Sequence, residues 1–215
     1  ATIEPSAGIK AAGHSVDDQG RAHFMNWVLK NLSDWQNYVG YLVNAVVSNW
    51  QERANGKNFG LLGVVEGVLL TVAVGVADGA DAYITTSVSG ARWFERANPK
   101  NFDLWSVAWS PSLSLFVAVG APDGADAYIV TSPWGAVWTE RANPKNFGLR
   151  DVVWCEALTL FVAVGLADGA DAYIVTSPNG INWTERANPK NSDLRGVTWS
   201  EDLSLLVAVG AADGV

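Results

Sequence analysis

A tandem repeat constrains this chain more than any other feature. The string Glu-Arg-Ala-Asn begins at Glu52, Glu95, Glu140 and Glu185, giving spacings of 43, 45 and 45. Residues 95–139 align with 140–184 without gaps, with 32 identities in 45 positions. The first unit is two residues shorter, from Phe59 to Gly75 against Phe102 to Gly120. A period of this length means stacked supersecondary units, each unable to bury its apolar faces alone.

Each unit reads as four short strands rich in Val, Ile, Trp, Tyr and Thr. In the third unit they are predicted at Leu149–Trp154, Leu158–Val164, Ala172–Thr176 and Ile181–Glu185. Leu160-Phe-Val-Ala-Val164 is apolar at consecutive positions, which predicts a strand covered on both faces. Asn179-Gly180 predicts a primed two-residue turn, with positive φ at both residues. No sustained helical period occurs over 52–215. Four-stranded units with doubly buried inner strands describe blades of a β-propeller, so the fold class is mainly β.

Strand arithmetic over 48–215 gives one strand at Ser48–Arg53, three sets of four, and two more before Val215, fifteen in all. That is three and a half to four blades. Either the chain continues beyond Val215, the favoured expectation, or the ring closes in an unusual way. The repeats resemble bladed proteins with a hairpin followed by Trp, through Ser87-Val-Ser-Gly-Ala-Arg-Trp93, Ser132-Pro-Trp-Gly-Ala-Val-Trp138 and Ser177-Pro-Asn-Gly-Ile-Asn-Trp183. Ser89, Trp134 and Asn179 stand where a sialidase box carries its acid, so the likeness implies blade architecture without sialidase chemistry.

The first fifty residues follow other rules. Residues 1–20, with Pro5, Gly8, Gly13 and Gly20, read as an extended attachment arm. Over 21–47 the period becomes helical: Met25, Val28, Leu32, Trp35, Val39, Leu42 and Val46 alternate spacings of 3 and 4. Such a helix either caps the repeats or self-associates, and the a/d rhythm favours an oligomerisation helix. Lys30 is the only basic residue between Ala22 and Gln51, which argues against a membrane surface.

Charge and composition exclude several classes. Fourteen basic against 22 acidic residues leave −8, and no basic patch offsets it, so nucleic acid is not an expected partner. No apolar run is long enough to span a bilayer as a helix, and residues 1–20 do not read as a secretory signal, so a soluble, unsecreted protein is expected. The lone Cys155 occupies a slot that sister repeats fill with Ser110 and Ser200, so it reads as a packed thiol. His14 and His23 lie outside the repeats, which leaves no Ser/His/Asp or Cys/His constellation there. No phosphate loop is present, and no cofactor or catalysis is expected.

The Asp-Gly-Ala-Asp loops and the Glu-Arg-Ala-Asn-x-Lys-Asn loops belong to the same end of the blades. As structure, the first Asp makes the turn and the second pairs with a repeated arginine (Arg53, Arg96, Arg141, Arg186). As function, Asp123, Asp126, Asp168 and Asp171 are weak Ca²⁺ candidates, with too few carboxylates per loop for a complete site. Recognition is expected where blades differ. One slot holds Leu62, Trp105, Arg150 and Arg195; another holds Ser89, Trp134 and Asn179. Trp105 and Trp134 offer stacking platforms for sugars, and Arg150, Asn179 and Arg195 offer hydrogen bonds. Glu66 replaces the tryptophan of Trp109, Trp154 and Trp199, so the first blade should pack differently.

Gly8-Ile-Lys-Ala-Ala-Gly13, Phe24-Met-Asn-Trp27 and Trp35-Gln-Asn-Tyr38 resemble the N-terminal region of tailed-bacteriophage fibre and tail-tip proteins. That resemblance covers about the first 45 residues. It implies a structural, adhesive virion protein: an arm docked on other tail proteins, a homotrimeric helix, and blades that bind a host surface receptor, including a glycan. The alternative is a bacterial propeller scaffold for protein–protein interaction, soluble in the cytoplasm. A glycan-active enzyme stands third.

Overall fold

The computed structural model describes residues 52, 53, 57, 59–80, 82–188 and 190–212. The chain divides into two compact units, Ala1–Glu52 and Arg53–Val215, and all the described residues except Glu52 belong to the second. The predicted arm, the helix from Met25 to Val46, the phage-like motifs and most of the strand at 48–53 lie outside the described residues.

Among the described residues there are fourteen strands and no helix. The first sheet holds β1 (Leu61–Glu66), β2 (Thr71–Ala77), β3 (Ala82–Ser87) and β4 (Phe94–Arg96). The second holds β5 (Leu104–Ser110), β6 (Leu115–Pro122), β7 (Ala127–Ser132) and β8 (Thr139–Arg141). The third holds β9 (Leu149–Cys155), β10 (Leu160–Ala167), β11 (Ala172–Ser177) and β12 (Thr184–Glu185). A two-stranded sheet of β13 (Leu194–Ser200) and β14 (Leu205–Gly210) completes the set. Every sheet is an antiparallel meander in chain order. The first strands β1, β5, β9 and β13 lie against one another in series. No described helix is long and apolar enough to cross a membrane.

Period-2 alternation explains the stacking. In β6, Phe116 and Ala118 face the first sheet, where they meet Val72, Val74 and Ile84. Val117 and Val119, the intervening residues, face Leu149, Phe161 and Ala163 of the third sheet. The doubly covered strand expected at 160–164 is present, since Phe161 through Val164 are all buried. Cys155 is buried, as a packed thiol would be.

Two turns differ from expectation. Asn179 does not have positive φ; Gly180 alone does, at 69°. Asn179 instead uses its side chain, Oδ1 accepting from Ile181 N and Asn182 N at 2.9 Å each. The indole Nε1 of Trp183 closes the loop on Gly180 O at 3.2 Å. This loop consumes Ile181 to Trp183, so the last strand shrinks from the predicted Ile181–Glu185 to Thr184–Glu185. Likewise β10 starts at Leu160, because Thr159 sits in the preceding turn with φ of 48°.

The two-residue deficit of the first unit lies in its β1–β2 turn. Gly67 N donates to Leu70 O at 2.8 Å, leaving only Val68 and Leu69 at the tip. In the second sheet Ser110 pairs with Leu115 across four residues. Glu66 is exposed opposite Thr71, whereas Trp109 packs tilted against Phe116 with ring centres 4.3 Å apart, and Trp154 against Phe161 at 4.6 Å. The first sheet therefore lacks that aromatic pair.

Candidate functional site

The end of the sheets where each second strand turns into the third carries a repeated ionic frame. Asp123 Oδ1 accepts from Ala125 N at 2.9 Å and Asp126 N at 3.1 Å, which closes the turn. Its Oδ2 receives Lys100 Nζ at 2.5 Å, and the same ammonium reaches Glu140 Oε1 at 2.5 Å. Lys57 repeats the pattern with Asp78 and Glu95, and Lys145 with Asp168 and Glu185. Among the described residues, the expected pairing of the second Asp with an arginine is not found at Asp126 or Asp171. Asp126 Oδ2 accepts from Asn143 N at 3.0 Å, while Arg141 Nε donates to Thr131 Oγ1 at 2.9 Å. The reason is geometric. Arg141 lies on the edge strand β8, beside β7 and its Thr131, whereas Asp126 belongs to the loop that receives the chain leaving β8.

These contacts set the charges. Hydrogen bonds to Asp123 and Glu140 hold Lys100 well above the usual amine range, and Lys145 behaves alike with its own pair. Lys145 and the turn amides hold Asp168 down at about 2. For Asp123, burial pushes the carboxyl up, but Lys100 and two backbone amides outweigh it and the net shift is downward. Burial raises Asp126. Burial also pushes Tyr173 up to about 12; its hydroxyl accepts from Lys145 N at 2.9 Å.

Asp123, Asp126 and Glu140 lie close enough to share a cation, as do Asp168, Asp171 and Glu185. In both groups a lysine ammonium already engages the first Asp and the Glu. Ca²⁺ takes six to eight oxygen ligands, and these groups offer three carboxylates, two of them committed. The lysines were visible in the repeated Lys-Asn pair, but sequence reasoning did not assign them.

At this end the first strand of each sheet carries a β-bulge. The register slips between Leu61 and Gly63, Leu104 and Ser106, and Leu194 and Gly196, and β9 slips in the same way at Arg150. The bulged residues are therefore Leu62, Trp105, Arg150 and Arg195, all members of one variable slot. Each bulge presses on a glycine of the second strand. A Cβ on Gly120 would stand 1.9 Å from Asp103 O, and one on Gly165 would stand 2.0 Å from Gly148 O. Bulges re-aim side chains out of the ladder. Leu62, Arg150 and Arg195 are exposed and Trp105 is half-buried.

The neighbouring slot holds Gly63, Ser106, Asp151 and Gly196. Asp151 Oδ1 accepts from Ser106 Oγ at 2.7 Å and from Val152 N at 2.9 Å, and its Oδ2 accepts from Val197 N at 2.8 Å. One carboxylate thus ties β5, β9 and β13 together beside their bulges. Sequence reasoning missed Asp151, although it is the only acid in that slot. The guanidinium of Arg150 lies over the Trp105 ring, 3.9 Å from its centre, and an edge of that ring packs on Gly148.

The sequence-predicted candidates separate into two groups. Trp105, Arg150 and Arg195 share the bulged end. Trp134 and Asn179 lie in the β7–β8 and β11–β12 hairpins, at the opposite end of the sheets. Trp134 is exposed, whereas Asn179 Oδ1 is committed to its own turn.

No family model matches the sequence, and no curated protein matches it. Among solved structures, a chain of a nidogen–laminin complex is similar at 15% identity and a TM-score of 0.52, covering 71% of this chain and 57% of that one. A structural genomics protein of unknown function from Bacteroides thetaiotaomicron aligns at 11% identity over 75% of this chain and 42% of its own, with a TM-score of 0.49. The WD40 β-propeller domain of Doa1 aligns at 13% identity over 73% and 64%, with a TM-score of 0.35. This chain spans just over half the length of the nidogen–laminin match. At such identities a likeness concerns fold alone, and that to the nidogen–laminin chain agrees with the sheet order: the described residues form three four-stranded antiparallel sheets and one of two strands, stacked like propeller blades.

Proposed function

We propose that this chain is a β-propeller scaffold for protein–protein interaction, with the bulged end of its inner strands as the contact surface. The observation that carries the reading is a contrast within the repeat. The ionic frame recurs with the same residue types in three sheets, and the bulge recurs with its glycine in all four. Yet the residue at the tip of that bulge is Leu, Trp, Arg and Arg. A recurring frame solves one packing problem repeatedly, whereas differing tips, three exposed and Trp105 half-buried, build an asymmetric surface, as recognition requires. The reading involves no catalysis.

The tail-fibre reading, with its homotrimer, rests on residues outside the described structure, and the three solved structures named above do not bear on it. The scaffold therefore stands ahead of it. The test is affinity capture with cross-linking, using the full chain and a Trp105→Ala/Arg150→Ala variant. The expected result is a protein partner cross-linked at β5 or β9 and lost from the variant. Equal capture by both forms overturns the assigned surface. A glycan ligand with no protein partner would return the host-receptor reading to first place.

A further inference from the structure

The bulged contact surface has a chemistry of its own, and the inference rests on the scaffold reading. Arg150 and Arg195 occupy the same bulge position on β9 and β13, strands that lie against each other and are joined by the Asp151–Val197 hydrogen bond. Both side chains are exposed. Among the described residues no carboxylate pairs with either one; every ion pair there uses Lys57, Lys100 or Lys145. The acids nearest in sequence have other partners: Asp151, beside Arg150, is committed to Ser106, Val152 and Val197, and Asp193, two residues before Arg195, accepts from Ala167 N at 2.9 Å. Trp105 holds the Arg150 guanidinium by its ring face and so orients it without neutralising it.

We propose that this pair of arginines binds carboxylate groups of a short acidic peptide segment presented by a partner protein. Guanidinium groups take carboxylates through two parallel hydrogen bonds, and clusters of them are a recurring means of reading acidic motifs. The surroundings favour a short segment over a long polyanion. The whole chain carries −8. A nucleic acid or polyanionic glycan would work against that net charge along its length, whereas one or two carboxylates need only reach the arginines. Leu62 and the exposed part of Trp105 add apolar contact beside the charge.

Titration calorimetry at low ionic strength tests this with the full chain and three probes: a capped hexaglutamate peptide, hexalysine and a short oligothymidylate. Hexaglutamate is expected to bind, and Arg150→Gln/Arg195→Gln to weaken it about tenfold or more. Arg92→Gln, an exposed arginine in the β3–β4 hairpin at the other end, is expected to change binding less than about twofold. Arg150→Glu/Arg195→Glu is expected to exchange hexaglutamate for hexalysine. Unchanged circular dichroism in each variant separates lost binding from lost fold. The proposal is overturned by absent hexaglutamate binding, by equal loss in Arg92→Gln, or by preference for the oligonucleotide. If hexaglutamate fails while Trp105→Ala/Arg150→Ala still loses a captured partner, only the acidic class falls. If both fail, the scaffold reading falls too.

Discussion

The second sheet and the two-stranded fourth sheet are built from nearly the same strand, Leu-Phe-Val-Ala-Val-Gly in β6 and Leu-Leu-Val-Ala-Val-Gly in β14. In β6, Val117 and Val119 are fully buried. Their counterparts Val207 and Val209 are 42% and 63% exposed. The difference lies outside the strand. β6 has the third sheet against its forward face, and among the described residues no sheet packs on the forward face of β14. A blade strand is written for two neighbours whether or not it has both, so burial here belongs to the stack.

The sharpest way to break this comparison is at the bulge glycines. Gly120→Ala places a methyl 1.9 Å from Asp103 O, with sheets packed on both sides to prevent relief. It is expected to cost about 3 kcal/mol or more by chemical denaturation. Gly210→Ala meets the same 1.9 Å approach, to Asp193 O, in a sheet that among the described residues packs on one side only, and is expected to cost clearly less. Equal losses would mean that the fourth sheet is held as firmly as the second.

A smaller effect is expected at the valines. Val119→Ala removes two fully buried methyl groups and is expected to cost roughly 2 kcal/mol. Val209→Ala, in the same slot but mostly exposed, is expected to fall within about 0.5 kcal/mol of the parent. A large loss at Val209, or a melting temperature that rises with protein concentration, would show that something covers that face in solution.

The smallest expected effect is electrostatic and belongs to a completed sheet. Asp168 titrates at about 2 in the folded protein against an ordinary 3.8, so the folded state favours its ionised form. That contribution is fully present above about pH 4. It is lost as pH falls through 3.8 towards about 2, because the unfolded chain takes up the proton first. Acid titration of stability should therefore lose part of its slope in this window in Asp168→Asn, and likewise in Lys145→Met. An unchanged acid limb in both variants would mean that the Lys145 ion pair adds nothing measurable to stability.

Much of this was legible in the residues. The repeat, the order of four strands and the doubly covered 160–164 segment follow from periodicity and from β-branched and aromatic content. The variable slot was legible as well, since Leu62, Trp105, Arg150 and Arg195 differ where their surroundings repeat. Its bulge was not, because a bulge depends on how two strands register and on a carbonyl pressed against Gly120. The Arg–Asp pairing was misjudged for a related reason. Spacing brought Arg141 near Asp126 in the repeat, but strand pairing gave Arg141 to Thr131 and left the ammonium of Lys100 for Asp123. Asn179 was misjudged on local grounds, because a side-chain amide accepting two backbone N–H bonds can shape a turn without positive φ.

By itself the sequence determined that the described part of the second unit is all β, the order of four strands in each repeat though not their ends, and which positions differ among the blades. Those properties are local, encoded by alternation, turn residues and the repeat itself. Only the tertiary structure decided which of two equivalent valines is buried, that Asp151 joins three inner strands, and that Trp105 and Arg150 stack while Trp134 lies at the other end. Each of these depends on a neighbour about 45 residues away or on the next sheet, and a strand's own side chains do not specify what packs against them.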